Sequence, residues 1–161
     1  MSEVRVGLGV DLHPRAEHRP LFLGGVRFEG EPGLAGHSDG DVVCHAVADA
    51  LLGAAGLGDL GDHFPDTDPA VEGIAGLDLL ARVVAKLTDT GLAATGCDLT
   101  VLADRPSIAG VREEIRRNLA AALVLRAGDV SVKATRPEGL GLSGDGAGCV
   151  AVVTLSPFDR R

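Results

Sequence analysis

Gly36-His37-Ser38-Asp39-Gly40-Asp41-Val42-Val43-Cys44-His45-Ala46-Val47-Ala48-Asp49-Ala50-Leu51-Leu52-Gly53 opens as a polar, glycine-flanked loop and becomes an alanine-rich apolar run. Ser38 or Asp39 is placed to cap a helix starting near Gly40 or Asp41. From there Asp41, His45 and Asp49 recur every four residues and share one helix face. Valine, alanine and leucine cover most of the remaining surface, so the helix is expected to be buried and its polar row needs partners. A metal ion, a phosphate or both would supply them. His37 stands just before the helix, where free backbone N–H groups favour an anion. A single buried histidine is ordinarily a hydrogen-bonded core residue. Two histidines and three aspartates around one helix start point instead to a site.

The segment before this helix strengthens that reading. Val4 to Val10 alternates as a strand, with Val4, Val6, Leu8 and Val10 on one face. It runs into Asp11-Leu12-His13-Pro14. Residues two apart in a strand point the same way, so Asp11 and His13 converge, and Pro14 stops the strand behind them. Together with His45 they make an O,N,N donor set with one position open, the way catalytic zinc sites are usually built.

Outward from these two stretches the pattern is coarser. Residues 15–20, with Arg15, Glu17, His18 and Arg19, read as an exposed loop with His18 solvated. Leu21–Leu23 and Val26–Phe28 are short strands around a Gly24-Gly25 turn, and Glu29–Gly36 is a glycine-proline loop. The central helix breaks at Gly56 and Gly58. Asp59 to Pro69 is a long acidic loop in which Asp59 and Asp66 could hold substrate hydroxyls or metal-bound water, or simply lie in a solvated turn. Gly76–Thr90 is an amphipathic helix stopped by Gly91, Thr95–Leu102 a strand, and Ile108–Leu125 a second amphipathic helix with a charged outer face. Val130–Ala134 is a strand, Thr135–Gly146 a glycine-rich loop or short helix, and Cys149–Leu155 the last strand.

Composition narrows the function. The 161 residues suit one domain spanning the chain. Trp and Tyr are absent and Phe occurs four times, so a site of stacked aromatics for single-stranded nucleic acid is unexpected. A net charge of −8 also disfavours a nucleic-acid surface, while leaving room for a small anionic substrate neutralised by metals and backbone amides. Three widely spaced cysteines and no basic-then-apolar leader read as reduced thiols in a cytoplasmic protein. No apolar run approaches the ~20 residues of a membrane span. Alternating strands and helices in the second half predict an α/β fold, a mixed sheet with helices packed on one face. With so few aromatics to fill a second layer, other subunits are expected to cover the opposite face.

The residues also carry a resemblance. Gly9-Val10-Asp11-Leu12-His13, then Gly36 to Asp41 with His45, then Asp49 to Gly61, then Phe64-Pro65-Asp66-Thr67-Asp68, closely resemble the 2-C-methyl-D-erythritol 2,4-cyclodiphosphate synthase family, and the similarity runs from about Arg5 to Leu155. The resemblance implies a homotrimer with active sites between adjacent subunits and a zinc ion on Asp11, His13 and His45. It implies that His37, as a catalytic residue, and Ser38 contact the substrate phosphate. Asp59, Leu60, Gly61, Phe64, Asp66 and Asp68 would surround the methylerythritol. Ala103 to Ala109, including Pro106, and Thr135 to Glu138 would hold the cytidine diphosphate, with Glu138 on a second metal, Mg2+ or Mn2+. The family's reaction is an attack of the substrate's 2-phosphate on its own β-phosphorus, releasing CMP, a lyase step in non-mevalonate isoprenoid synthesis.

The second half departs from the family pattern. Arg136 stands where a threonine held to stabilise the transition state is usual, and Ser107 where a lysine is frequent. Gly144-Asp145-Gly146-Ala147-Gly148 replaces a segment with an arginine and a glutamate near the trimer axis. These changes lie on the nucleotide side and at the axis. They leave open an alternative: a divergent zinc-holding trimer that binds a phosphorylated ligand without synthase activity. A zinc phosphohydrolase making a linear product is a third reading.

Overall fold

In the computed structural model, which describes residues 3–141 and 145–158, one long strand belongs to two ladders. The first half of β1 (Arg5–Leu23) pairs antiparallel with β5 (Gly146–Pro157), from Arg5 opposite Leu155 to Pro14 opposite Gly146. Its second half pairs with β2 (Val26–Leu34) through a two-residue turn. Gly24 and Gly25 both have positive φ, 58° and 75°, which the tight hairpin demands. Residues 15–20 are therefore strand rather than loop, and so is most of the expected loop from Glu29. The charged residues there lack an apolar alternation because the hairpin keeps much of their surface in water. Backbone pairing, with register shifts between Ala16 and Leu21, makes the strand.

The sheet order is β2-β1-β5-β3-β4. β3 (Leu92–Leu102) lies antiparallel to β5 and parallel to β4 (Val130–Thr135), so the sheet is mixed. The parallel pair is joined through α4 (Arg112–Leu123), which begins later than expected because 108–111 form a turn closed by Val111 N–H on the Ile108 carbonyl at 3.0 Å.

The central helix, α1 (Val42–Ala55), lies directly on β1. A Cβ added to Gly9 would meet the Ala46 carbonyl oxygen at 1.9 Å, and one added to Gly7 the Ala50 oxygen at 1.9 Å. The valines and leucines at the start of the chain and in the first half of β1 face the other way: Val4, Val6, Leu8, Val10 and Leu12 are 49–65% exposed, beside Val152 of β5. α3 (Gly76–Asp89) packs beside α1, with Gly76 against the Cβ atoms of Asp41 and Cys44. Between helices and sheet the apolar side chains, Leu51, Leu80, Leu99, Ile115, Leu119 and Leu155 among them, form a continuous core. The free thiols of Cys44, Cys97 and Cys149 are buried, and burial pushes the Cys97 thiol up to about 12. Among the described residues no helix is long and apolar enough to cross a membrane.

Candidate active site

The two stretches that open the chain's chemistry meet. β1 presents Asp11 and His13 on one side of the pleat, and the first turn of α1 presents His45. Asp11 Oδ2 lies 2.9 Å from His13 Nε2 and 3.1 Å from His45 Nδ1. The three ligand atoms lie within 4.8 Å of one another and could hold a metal ion. Burial alone would raise the Asp11 pKa, but hydrogen bonds and charge from His13 and His45 outweigh it and hold the carboxyl down at about 2. The Asp11 hydrogen bond raises the His13 pKa above the ordinary imidazole value, against the opposing pull of burial.

The outer nitrogens of both rings are also engaged. His13 Nδ1 donates to the Ala35 carbonyl, so Nε2, which donates to Asp11 in the protonated ring, is the nitrogen that would give up its proton to take a metal. His45 Nε2 lies 2.8 Å from Ser38 Oγ, which also accepts the Gly40 N–H at 3.2 Å. When His45 Nε2 carries the proton, Ser38 Oγ accepts from both and its own hydroxyl proton is left to donate. The buried Ser38 therefore offers an anion a hydrogen bond at the mouth of the donor set.

The other two members of the polar row do different work. Asp41 is the N-cap of α1, a place expected for Ser38 or Asp39, and is fully buried. Its carboxylate accepts four backbone N–H groups: Gly24 at 2.9 Å, Gly25 at 2.7 Å, and Val43 and Cys44 at 3.1 Å. It thus locks the β1–β2 turn to the helix start. Asp49 accepts the Leu60 N–H at 3.0 Å and seats α2 (Leu60–His63), a short helix inside the expected loop. Only His45 of the row faces the donor set.

A cleft of about 190 Å3 opens over that set, walled by His37, Ser38, Leu60, Gly61, Phe64 and Asp66. His37 Nε2 stands 3.6 Å from Asp66 Oδ2. Asp59 is instead the N-cap of α2, in a capping box with Asp62, and Asp68 caps the following turn through the Ala70 N–H at 2.9 Å. A second cleft, about 210 Å3, is lined by Ala103, Pro106, Ser107, Thr135 and Arg136 among others, beside the cis Arg105–Pro106 bond. Glu138 is exposed in a Pro137–Leu140 turn with φ of 50°, outside that lining. The two clefts have no lining residue in common. Gly144 of the axial segment lies outside the described residues.

Two arginines assigned to an exposed loop are structural members of this region. Arg19 donates to the carbonyls of Gly36 and Ser38, and Arg15 to those of Pro32, at 3.0 Å, and Arg105. Their odd-numbered spacing along β1 after Asp11 and His13 was the available signal.

Comparison with known proteins agrees with this geometry. The YgbB family model matches residues 4–156. The bifunctional enzyme IspD/IspF of Anaeromyxobacter sp. (strain Fw109-5) is 53% identical over 150 residues, 93% of this chain and 39% of that protein. The 2-C-methyl-D-erythritol 2,4-cyclodiphosphate synthase of Pelotomaculum thermopropionicum is 51% identical over 92% of this chain and 91% of its own length. A solved structure of such a synthase in its CDP-bound form superposes with a TM-score of 0.86 at 35% identity, covering 94% of this chain and 99% of that one. The chain thus spans about two-fifths of its bifunctional relative and nearly all of the shorter one, and it belongs to the YgbB family, that of the 2-C-methyl-D-erythritol 2,4-cyclodiphosphate synthases.

Proposed function

We propose that the chain converts 4-diphosphocytidyl-2-C-methyl-D-erythritol 2-phosphate into 2-C-methyl-D-erythritol 2,4-cyclodiphosphate and CMP, as a cytoplasmic lyase of non-mevalonate isoprenoid synthesis. The observation that carries this is the convergence of Asp11 Oδ2, His13 Nε2 and His45 Nδ1 beside the buried Ser38 hydroxyl.

The donor set fits zinc: one carboxylate oxygen and two imidazole nitrogens, each imidazole fixed from behind. Bound there, a zinc ion supplies charge neutralisation for a phosphate group. Ser38 donates to that phosphate, and His37, exposed at the cleft mouth and near Asp66, meets its outer oxygens. Leu60, Gly61 and Phe64 form the wall against which the methylerythritol lies, with Asp66 for its hydroxyls. The cytidine diphosphate occupies the second cleft, where Ala103, Pro106 and Thr135 offer backbone and small side chains and Arg136 a guanidinium for phosphoryl charge. Glu138, with Mg2+ or Mn2+, serves the diphosphate from its turn. The bond that forms joins a 2-phosphate oxygen to the β-phosphorus. The bond that breaks is that phosphorus to the bridging oxygen, which leaves on CMP with the electron pair. The nucleophile is already an anion, so positioning and charge stabilisation carry the step.

The proposed assembly is a homotrimer, which would do two things. It covers the exposed apolar row of β1, and it lets the second cleft of one copy face the metal cleft of the next. The test is 31P NMR of purified protein given zinc, Mg2+ and the cytidylylated 2-phosphate, with H45A as control. Cyclic diphosphate and CMP are expected. No CMP above the control rejects the synthase in favour of a ligand-binding trimer, and a linear product points to a hydrolase.

A further inference from the structure

Both imidazoles of the donor set are held from behind by one four-residue segment. The Ala35 carbonyl takes His13 Nδ1–H, and Ser38 Oγ takes His45 Nε2. Anything that fixes residues 35–38 therefore fixes both rings at once. Arg19 grips this segment. Its Nη1 donates to the Gly36 carbonyl and its Nη2 to the Ser38 carbonyl. The two arms of a planar guanidinium reach both carbonyls at once, bridging the bend at residues 36–38. The intervening His37 carbonyl accepts the Gly73 N–H at 2.7 Å, and Asp39 N–H donates to the Ile74 carbonyl at 3.0 Å. The segment is clamped from two directions, and among the described residues only the Arg19 side chain bonds the carbonyls of both 36 and 38.

The strand is shaped for this contact. The β1–β2 register slips between Ala16 and Pro20, a place where a ladder can re-aim a side chain. Opposite it, Gly33 admits the Arg19 and Pro20 carbonyls, which a Cβ would meet at 2.6 and 2.4 Å.

We infer that Arg19 is a positioning residue: it orients His13 and His45 toward the shared point with Asp11 by holding the segment that carries both of their outer hydrogen-bond partners. The inference rests on the metal-site reading for its consequence, though not for its geometry. It also makes a prediction opposite in sign to simple electrostatics. Arg19 is a cation beside a cation site, and its charge works against a proton on His13. Removing charge alone would tighten metal binding, whereas losing the clamp loosens it.

The test compares R19M with R15M. Arg15 lies on the same strand and also donates to two backbone carbonyls, but neither belongs to residues 35–38. Two readouts are taken: zinc affinity by chelator competition, and the imidazole 15N shifts of the metal-free protein at a pH where both histidines are neutral. R19M is expected to bind zinc about 10- to 100-fold more weakly and to show mixed tautomers at His13 and His45. R15M is expected to keep wild-type zinc affinity and ring nitrogens whatever it loses in thermal stability, and R19K, with one ammonium for two carbonyls, to fall between. Zinc affinity in R19M equal to or above wild type, or unchanged imidazole nitrogens, overturns the inference. If the wild type binds no zinc, the metal reading fails, and the 15N shifts still decide the role of Arg19.

Discussion

Gly9→Ala is the sharpest test of how the site is assembled. Gly9 precedes Asp11 by two residues on the same side of β1, and the helix that bears His45 rests on it. A Cβ there would lie 1.9 Å from the Ala46 carbonyl oxygen and 2.7 Å from the Ala50 amide nitrogen. Ordinary contact begins near 3.4 Å, so α1 must retreat from β1 by about 1.5 Å. Both opposing atoms are backbone in the middle of a buried helix and no rotamer can relieve them. The cost belongs at the upper end of overpacking, about 3 kcal/mol. For a chain of this length that is roughly a 6–12 °C fall in Tm. The same retreat separates His45 from the carboxylate it now meets at 3.1 Å, so zinc affinity should fall with stability. Differential scanning calorimetry and zinc titration on G9A measure both. A Tm within 1 °C of wild type, with zinc binding intact, would refute the claim that direct strand–helix backbone contact sets the donor spacing.

Asp41→Asn should destabilise by about 1–3 kcal/mol, because an amide NH2 in place of Oδ2 cannot accept the Gly25 N–H, while the remaining oxygen keeps those of Gly24, Val43 and Cys44; denaturant melts reveal it. Zinc affinity should fall as pH drops through the raised pKa of His13, since the proton held there by Asp11 competes with the metal; calorimetry in buffers of different ionisation heat should show proton release on binding, and none would contradict it. In the metal-free protein the stability due to His13 is full below its unfolded value and lost as pH rises through the raised one. That due to Asp11 is present above its unfolded value and lost as pH falls toward 2. Leu8→Glu, on the open apolar face, should lower the mass read by light scattering if that face joins copies in the proposed trimer, and a trimer mass unchanged by the substitution would remove that face from the proposed interface.

Asp11, His13 and His45 were legible because strand and helix periods each place chemistry on a definite side, and the meeting of the two stretches needed only that α1 pack on β1. The apolar row of β1 was legible as a row but not as an outer face, because the inward positions are glycines, which carry no hydropathy signal. Their role is visible only once a helix lies against them. The helical period put Asp41, His45 and Asp49 on one face, yet each has its own partner. A period cannot tell a carboxylate that takes backbone amides from one that faces a ligand. The strand through Arg15–Pro20 was hidden because its stability comes from backbone pairing across a hairpin, while its side chains stay polar. Arg19 was hidden for the same reason, since its partners are carbonyls of a loop 17 and 19 residues further on.

The central claim, that one strand and one helix deliver three ligands to a single cation, is tested most directly by anomalous diffraction at the zinc edge from crystals grown with zinc. The expected result is a peak about 2.0–2.2 Å from Asp11 Oδ2, His13 Nε2 and His45 Nδ1, absent in H45A. A map with no peak at that point, or one that persists in H45A, would contradict it.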